Sequence, residues 1–271
     1  MKLRKVLYAV IMMIGILLLP EQSNSQNLEV VGQAKITVMP TDNTADQIVV
    51  KQADGTLAVR SAASLAESTG NYGTVVNPIT GKVWLDRNLG ATQEATSSTD
   101  FASYGDLYQW GRNADGHQTI VWTSSTTSDG AEQSSEKSTQ ASNYFTTGGL
   151  FITGSSNWLS NVETHMWSGT AAENNPCPSG FRVPTAAEWE QERLSWSSNN
   201  AAGAFASPLK LPLAGFRSNS NGSLNTVGSD GYYWSSTGNG ANARFLDLNG
   251  SFAVMSTLNR AYGFSVRCLK D

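Results

Sequence analysis

The chain ends on two connected runs, Tyr232-Tyr233-Trp234-Ser235-Ser236 and Gly263-Phe264-Ser265-Val266-Arg267-Cys268. Between them, residues 238–262 form a weakly patterned segment that is rich in Asn, Gly and Ser. The aromatic cluster and the apolar closing run predict a rigid scaffold that carries variable contacts on its surface. Neither run has a pattern typical of a catalyst.

The N-terminus has the pattern of a Sec signal peptide. Basic residues precede an apolar run at residues 6–19, and the small polar residues 23–25 fit a cleavage site. The run is short for a membrane-spanning helix, which needs roughly twenty residues. We therefore expect a signal peptide at residues 1–25, export by Sec to the periplasm, cell surface or extracellular space, and no membrane insertion. Because the first Cys is Cys177, we expect no lipoprotein anchor.

Composition indicates a turn-rich β-type chain. Charged residues make up only 15%, while the chain has 25 Gly and 8 Trp. A net charge of −4 leaves no basic surface for nucleic acid, so nucleic acid is excluded as an expected partner.

The chain has two cysteines, Cys177 and Cys268. An exported chain passes through an oxidising compartment, where thiols tend to pair, so we predict one disulfide. The alternatives are two buried free thiols, or a redox or metal pair. A metal site needs more ligands than two Cys and two His supply, and the chain contains no C-x-x-C motif.

Residues 26–70 alternate apolar and polar side chains in short runs, as in Ala34–Val38 and Ile48–Lys51. With a turn signal at Asp54-Gly55, the pattern predicts small β-hairpins. Since such a short segment cannot bury a large core alone, we expect a stalk that packs on its neighbour or forms a homotrimer. The alternative is an unstructured linker.

Residues 71–271 have the length of one globular domain. Within it, Thr123–Asn143 and Ser195–Ala204 are polar, and we interpret both segments as surface. A helix is predicted from Thr185 to Leu194, with Thr185 and Glu188 in a capping box. Trp189 and Leu194 are expected to face the core. Capping and solvation account for Glu188, Glu190 and Glu192 without acid–base chemistry.

Four ordered motifs resemble the Fibrobacter succinogenes major paralogous domain family. They are Gly81-Lys82-Val83-Trp84-Leu85-Asp86-Arg87-Asn88-Leu89-Gly90, Tyr104-Gly105-Asp106-Leu107-Tyr108-Gln109-Trp110-Gly111-Arg112, the run from Cys177 through Arg182-Val183-Pro184-Thr185 to Trp189, and the two C-terminal runs quoted above. The resemblance implies an α+β, C-type lectin-like domain of short strands with one or two helices and adjacent termini, here preceded by a small β-structured segment. It also implies that Cys177, before the helix, can reach Cys268 on the last strand.

The same fold is related to the formylglycine-generating enzymes and to sugar-binding C-type lectins. The formylglycine-generating enzymes work through C-terminal cysteines, whereas this chain has only Cys268 in that region, and we assign Cys268 to the disulfide. Sugar-binding C-type lectins hold calcium with acidic loop motifs. This chain has Asn175-Pro176-Cys177 and Trp234-Ser235-Ser236 instead. We therefore expect no oxidase activity, no catalytic residues and no cofactor or metal; a structural calcium ion is possible but not indicated.

His117 and His165 stand apart from any catalytic motif, and Asp115-Gly116-His117 is interpreted as a turn with an exposed bystander histidine. We expect the protein not to be an enzyme.

The segment 238–262 also resembles the variable part of proteins that diversity-generating retroelements mutate at Asn-type codons. This resemblance implies a ligand-binding face of amides and hydroxyls with aromatic anchors. The candidates are Trp234, Asn239, Asn242, Arg244, Asn249, Ser251, Phe252, Ser256, Asn259 and Tyr262. The alternative is an ordinary hairpin in which Leu246 and Leu248 face inward, and Phe245 and Asp247 face outward.

The sequence thus favours an exported, non-catalytic module that binds a protein or glycan on a cell or phage surface. Two alternatives stay open: a structural subunit of a surface fibre or envelope assembly, and calcium-independent polysaccharide binding.

Overall fold

The structure is a computed structural model of the chain. It describes residues 47–51, 57–61, 72–130, 136–137, 139–141, 149–161, 165–169, 172 and 174–271, with the backbone alone for 47–51, 57–61 and 136–137. All of them belong to the unit Asp46–Asp271. The predicted signal peptide, residues 1–25, and the predicted strand at 34–38 lie outside the described residues.

The described residues form short strands and two α-helices. In chain order these are β1 (Gln47–Lys51), β2 (Leu57–Ser61), β3 (Thr74–Val76), β4 (Val83–Leu85), β5 (Tyr108–Gln109), β6 (Glu136–Lys137), β7 (Phe151–Ile152), β8 (Phe181–Arg182), α1 (Ala186–Leu194), α2 (Ala201–Ala206), β9 (Phe216–Arg217), β10 (Leu224–Asn225), β11 (Asp230–Asn239), β12 (Asn242–Asn249), β13 (Ala253–Asn259), β14 (Gly263–Phe264) and β15 (Leu269–Lys270). A 3₁₀ turn at Phe101–Ser103 precedes β5.

The strands pair into small, mostly antiparallel sheets. β1 and β2 form a hairpin whose first strand contains the predicted strand Ile48–Lys51. The other sheets have the strand orders β3-β4-β15-β8, β10-β9-β14-β5 and β11-β12-β13, and β6 pairs with β7 in parallel. Leu269 in β15 pairs with Trp84 in β4, so the end of the chain lies beside an early strand of the domain.

The middle strand of the sheet β11-β12-β13 carries buried residues on both faces. Leu246 and Leu248 lie among the buried residues on the helix side, as expected. Phe245 packs on the opposite side against Trp234 and Phe264, with ring centroids 5.8 and 4.8 Å away, and is only 3% exposed. The prediction that Phe245 faces outward is therefore wrong. Alternation assigns residues to two faces, but it does not say that one of them meets solvent.

Helix α1 begins at the predicted capping box. The hydroxyl of Thr185 accepts from the Glu188 amide at 3.2 Å, and the Glu188 carboxylate accepts from the Thr185 amide at 2.8 Å. Trp189 is fully buried, whereas Leu194 is 68% exposed, so the prediction that Leu194 faces the core is wrong. At about 100° per residue, Leu194 points roughly 140° away from Trp189, while Glu192 lies within about 60° of it and is buried instead.

The polar segment Ser195–Ala204 is only partly surface. It contains the start of α2, where Ala201, Gly203 and Ala204 are buried. Of the segment Thr123–Asn143, the described residues 123–130 are exposed or half-buried, but Ala141 is buried in the core. Small side chains pack closely in both segments, which polarity alone does not indicate.

Cys177 and Cys268 form the predicted disulfide; their Cα atoms are 5.9 Å apart and the sequence separation is 91. In the chain-entropy model, closing a loop of that length stabilises the fold by roughly 4 kcal/mol. The alternatives of free thiols or a metal pair are thereby excluded.

The described part of the chain is an α+β fold of small antiparallel sheets with two helices. Within the ranges given above, no helix is both long and apolar enough to cross a membrane.

Candidate functional site

The ten predicted contact residues lie on or beside β11, β12 and β13, but they do not form one surface. Trp234 is the clearest departure: it is fully buried, stacks on Phe264 at 4.2 Å and donates its indole N–H to the Tyr108 carbonyl at 2.7 Å. Its proposed role as a surface anchor is wrong, because this tryptophan connects the sheet to the core.

Three of the asparagines lie side by side across the sheet. Asn239 pairs with Asn242, and Asn242 pairs with Asn259. Asn239 is exposed and the other two are half-buried. The turn beside them contains Gly240, whose φ of +57° favours glycine, and the buried Arg260 donates to the Gly240 carbonyl. This end of the sheet offers amides on a fixed backbone.

Asn249, Ser251 and Phe252 lie at the opposite end of β12. The side-chain oxygen of Asn249 accepts from the amides of Ser251 and Phe252 at 2.9 and 3.2 Å. Its amide nitrogen donates to Asp230 at 3.1 Å. Asn249 therefore holds the turn, and Ser251 and Phe252 are the exposed members of this group.

Ser256 and Tyr262 belong to the face of Phe245 and Phe264 rather than to the helix side. Ser256 pairs with Phe245 across the ladder, so the two side chains share a face. The ring of half-buried Tyr262 packs against Phe264 at 5.8 Å. Arg244 precedes Phe245 by one residue in β12 and pairs with Thr257. Since successive side chains alternate, the side chain of Arg244 lies on the other face of the sheet, towards α1.

A cleft of about 570 Å³ separates the first turns of α1 from the sheet. Ala186, Ala187, Glu190 and Arg193 form its helix wall. The guanidinium of Arg193 holds the Glu190 carboxylate through two hydrogen bonds of 2.6 and 3.0 Å. These bonds lower the pKa of Glu190, although partial burial raises it, and the charges of Arg193 and Arg244 lower it further. Glu190 is therefore ionised and already paired.

Thr237, Arg244, Val254 and Met255 form the sheet wall. The hydroxyl of Thr237 accepts from the Ala186 amide at 3.0 Å, which fixes the helix start against β11. Arg244 differs from its neighbours, since its buried Nε has no hydrogen-bond partner. A buried donor without an acceptor costs about 1–3 kcal/mol, and an acceptor from a ligand would recover it.

Within the cleft, two guanidinium groups face one carboxylate, so the local charge is positive although the whole chain carries −4. A guanidinium binds carboxylate and phosphate groups best, and Val254 and Met255 add apolar contact. The arrangement is suited to binding a small anionic group. The hydroxyl of Thr237 accepts from the Ala186 amide, and the hydroxyl of Thr185 donates to the Glu188 carboxylate at 2.9 Å. Although partial burial raises the pKa of Glu188, its bonds from Arg182 and Thr185 lower it overall, so this carboxylate is a weak base.

His117 is not the exposed residue that the sequence predicted. It is fully buried; its Nδ1 lies 2.6 Å from the Asp115 carboxylate, and its Nε2 accepts from the Gln109 amide at 2.9 Å. The pattern around Asp115-Gly116-His117 is a turn, but it folds inward. Because both ring nitrogens are occupied, His117 has no lone pair to offer a substrate.

The three acidic residues of α1 have different environments. Partial burial raises the pKa of Glu188, but hydrogen bonds from Arg182 and Thr185 outweigh it and lower the pKa to about 2. Glu192 is not solvated as expected. Burial raises its pKa, and its carboxylate accepts from Asn77 at 2.7 Å and Trp196 at 3.2 Å. Both carboxylates hold the helix in place.

The sequence named Arg244 but missed the helix wall of the cleft. The helix wall consists of Ala186, Ala187, Glu190 and Arg193. The sequence predicted the helix but gave these residues no binding role, because only the packing of α1 across the sheet brings them to Arg244. Among the residues that the structure describes, no group of three or more His, Cys, Asp or Glu side chains could hold a metal ion.

A family model described as a domain of unknown function (DUF8237) matches residues 195–269. The matched range begins directly after α1, so it includes the sheet wall of the cleft and excludes the helix wall. No curated protein and no solved structure matches the chain.

Proposed function

We propose that this protein is an exported, non-catalytic binding module with a C-type lectin-like domain of the Fibrobacter succinogenes major paralogous type. Its ligand is a protein on the surface of another cell or of a phage. The ligand binds at the cleft between α1 and β12–β13 and extends over the exposed positions of 238–262.

The fold assignment is supported by the arrangement of the short elements. One helix packs on a three-stranded antiparallel sheet, and the last strand β15 lies beside β4. The disulfide ties the segment before α1 to the segment before β15. Such a cross-linked frame holds surface loops rigidly, which lowers the entropic cost of ligand binding.

Arg244 is the observation that carries the functional proposal. Its Nε is buried and unpartnered, while Arg193 and Glu190 beside it satisfy each other. Arginine in a partly desolvated site contributes strongly to protein interfaces. A ligand carboxylate is therefore the group that this cleft fits best.

The non-catalytic part of the proposal rests on how the reactive groups are used. The hydroxyls that line the cleft bond to the helix backbone or to Glu188, and His117 is enclosed in the core. A nucleophile needs a base within hydrogen-bond reach. The carboxylate that Thr185 contacts, Glu188, is held by a salt bridge with Arg182, which makes it a weak base.

The test measures binding of the labelled mature chain to whole bacterial cells, phage particles and a glycan array. Arg244→Gln should weaken binding to the protein-bearing surface by about tenfold or more, because it removes one charged contact from a partly desolvated site. Lys210→Gln is the matched control. It also removes one positive charge, but Lys210 does not line the cleft, and its ammonium lies 3.8 Å from the Glu94 carboxylate.

Equal binding by wild type and Arg244→Gln would remove the cleft from the proposal. A signal confined to the glycan array would instead support calcium-independent polysaccharide binding. Filaments or trimers without a saturable ligand would support the structural subunit.

A further inference from the structure

The third strand of the central sheet, β13, has β12 as its single neighbour in the described structure. The amide of Asn249 donates to the Phe252 carbonyl at 2.9 Å and closes the turn between the two strands. In an antiparallel ladder, hydrogen-bonded pairs alternate with non-bonded pairs. Following the register from this turn, Val254 and Ser256 bond inward to β12.

The alternate residues Met255 and Thr257, both half-buried, therefore direct their backbone N–H and C=O groups away from the sheet. Ala253 has the same orientation but is buried, so the open part of the edge begins after it. None of these groups has a hydrogen-bond partner in the described part of the chain. The strand reads Ala-Val-Met-Ser-Thr-Leu-Asn, without a charge or a proline. Natural sheets usually protect an exposed edge with such residues, so an unprotected edge is an available template for another strand.

The open edge borders the cleft of Arg244. Val254 and Met255 belong to β13 and also line the cleft. An added strand would lie about 5 Å beyond β13 and about 10 Å from β12. An arginine and an acidic side chain together span that distance, so a carboxylate on the added strand can reach the guanidinium of Arg244, which lines the cleft.

We propose that the partner docks as an extended peptide segment that adds a strand to the β13 edge and places an Asp or Glu side chain on Arg244. Backbone hydrogen bonds to Met255 and Thr257 supply sequence-independent affinity, and the cleft selects the acidic residue. This inference rests on the proposed binding function and specifies how the ligand is held.

A second copy of this chain fits the edge less well. β13 contains no acidic residue, so pairing two β13 strands would leave each Arg244 without a carboxylate from the partner strand. An acidic peptide satisfies both the open backbone groups and the arginine.

The experiment selects a displayed library of random linear peptides on the mature full-length chain. We expect enriched peptides to alternate apolar and polar residues and to carry Asp or Glu at one fixed position. Hydrogen exchange at the amides of Met255 and Thr257 should slow when a selected peptide binds, because these amides become donors in the new ladder. This measurement uses the wild-type protein and needs no variant.

Two variants separate the two contacts. Arg244→Gln should weaken peptide binding by about tenfold, as should Thr257→Pro, which removes an outward N–H but no bond to β12. Thr257→Val keeps that N–H, so a larger loss in Thr257→Pro assigns the effect to the backbone donor. Lys210→Gln, outside the cleft lining and outside β13, is the control with unchanged binding. Each variant is first checked by thermal unfolding.

Strand addition is overturned if no linear peptide is enriched, or if the enriched peptides lack an acid or leave the two amides unprotected. If cell or phage binding still requires Arg244 in that case, the proposed function stands and only this docking mode fails. If neither peptide nor surface binding requires Arg244, both proposals fail.

Discussion

At the scale of single residues, His117 shows how far an interior position can depart from its local sequence. Burial lowers its pKa from 6.5 to about 4; the charges of Arg112 and Arg217 act in the same direction, and the bond to Asp115 opposes them. The folded protein therefore keeps a neutral histidine at a pH where the unfolded chain takes up a proton. The resulting stability is fully present above about pH 6.5 and is lost as pH falls towards 4.

We predict that this single residue makes the protein less stable in mild acid. A depression of this size corresponds to about 3 kcal/mol in the free energy of unfolding across that window. His117→Gln keeps an acceptor for the Gln109 amide but does not titrate, so its unfolding free energy should change less between pH 7 and pH 4. Urea unfolding at several pH values measures the difference. Parallel curves for the two proteins would show that His117 is not the titrating group. Glu188 does not obscure this comparison, because its lowered pKa affects stability mainly below its ordinary value of 4.5.

At the scale of elements, the local signals in the sequence located α1 and the aromatic strand β11, and tertiary packing decided the rest. The capping box was predictable because Thr185 and Glu188 contact each other within one turn. The side of α1 that faces the core was not predictable from polarity. Leu194 is more apolar than Glu192, but the helical period places Glu192 over the core and Leu194 in solvent. Phe245 and Trp234 follow the same logic: their burial depends on Phe264, which is distant in sequence.

This assignment of faces predicts opposite outcomes for one substitution in two elements. Leu246→Ala in β12 should lower the free energy of unfolding by about 2–5 kcal/mol, because it empties a fully buried site. Leu194→Ala at the end of α1 should change it by less than about 0.5 kcal/mol, because that side chain is mostly in solvent. Chemical denaturation of both variants checks the pair. A large loss at Leu194 would mean that this leucine is covered by a partner or by another part of the chain.

The candidate site was predictable to a similar degree. The sequence placed nine of the ten candidate contacts within 238–262 and included Arg244, because the resemblance to diversified segments selects polar residues between the two aromatic runs. The cleft itself required knowing that α1 packs over β12 and β13. Three of the ten candidates then took structural roles: Trp234 in the core, Asn249 in its turn and Tyr262 against Phe264.

At the scale of the whole molecule, a diversified binding face must vary without disturbing the frame that carries it. The positions in 238–262 divide accordingly. Seven positions are buried and support the sheet and its end: Ala243, Phe245, Leu246, Leu248, Ala253, Arg260 and Ala261. Asn239, Ser251 and Phe252 are exposed, and Asn242, Arg244, Ser256 and Asn259 are half-buried. If the segment is diversified, selection for a folded product confines the tolerated changes to the second group.

We predict this division in the gene across a growing population. Deep sequencing of codons 238–262 should show substitutions concentrated at adenines of the exposed and half-buried positions, and few at the seven buried ones. Codons of the equally exposed stretch 123–130 are the internal control, since they lie outside the proposed face. A neighbouring near-identical template repeat and a reverse transcriptase gene should accompany the pattern. An invariant segment, or changes spread evenly over buried and exposed codons, would contradict diversification. It would leave Arg244 and the β13 edge as a fixed binding site, because their chemistry does not depend on variation.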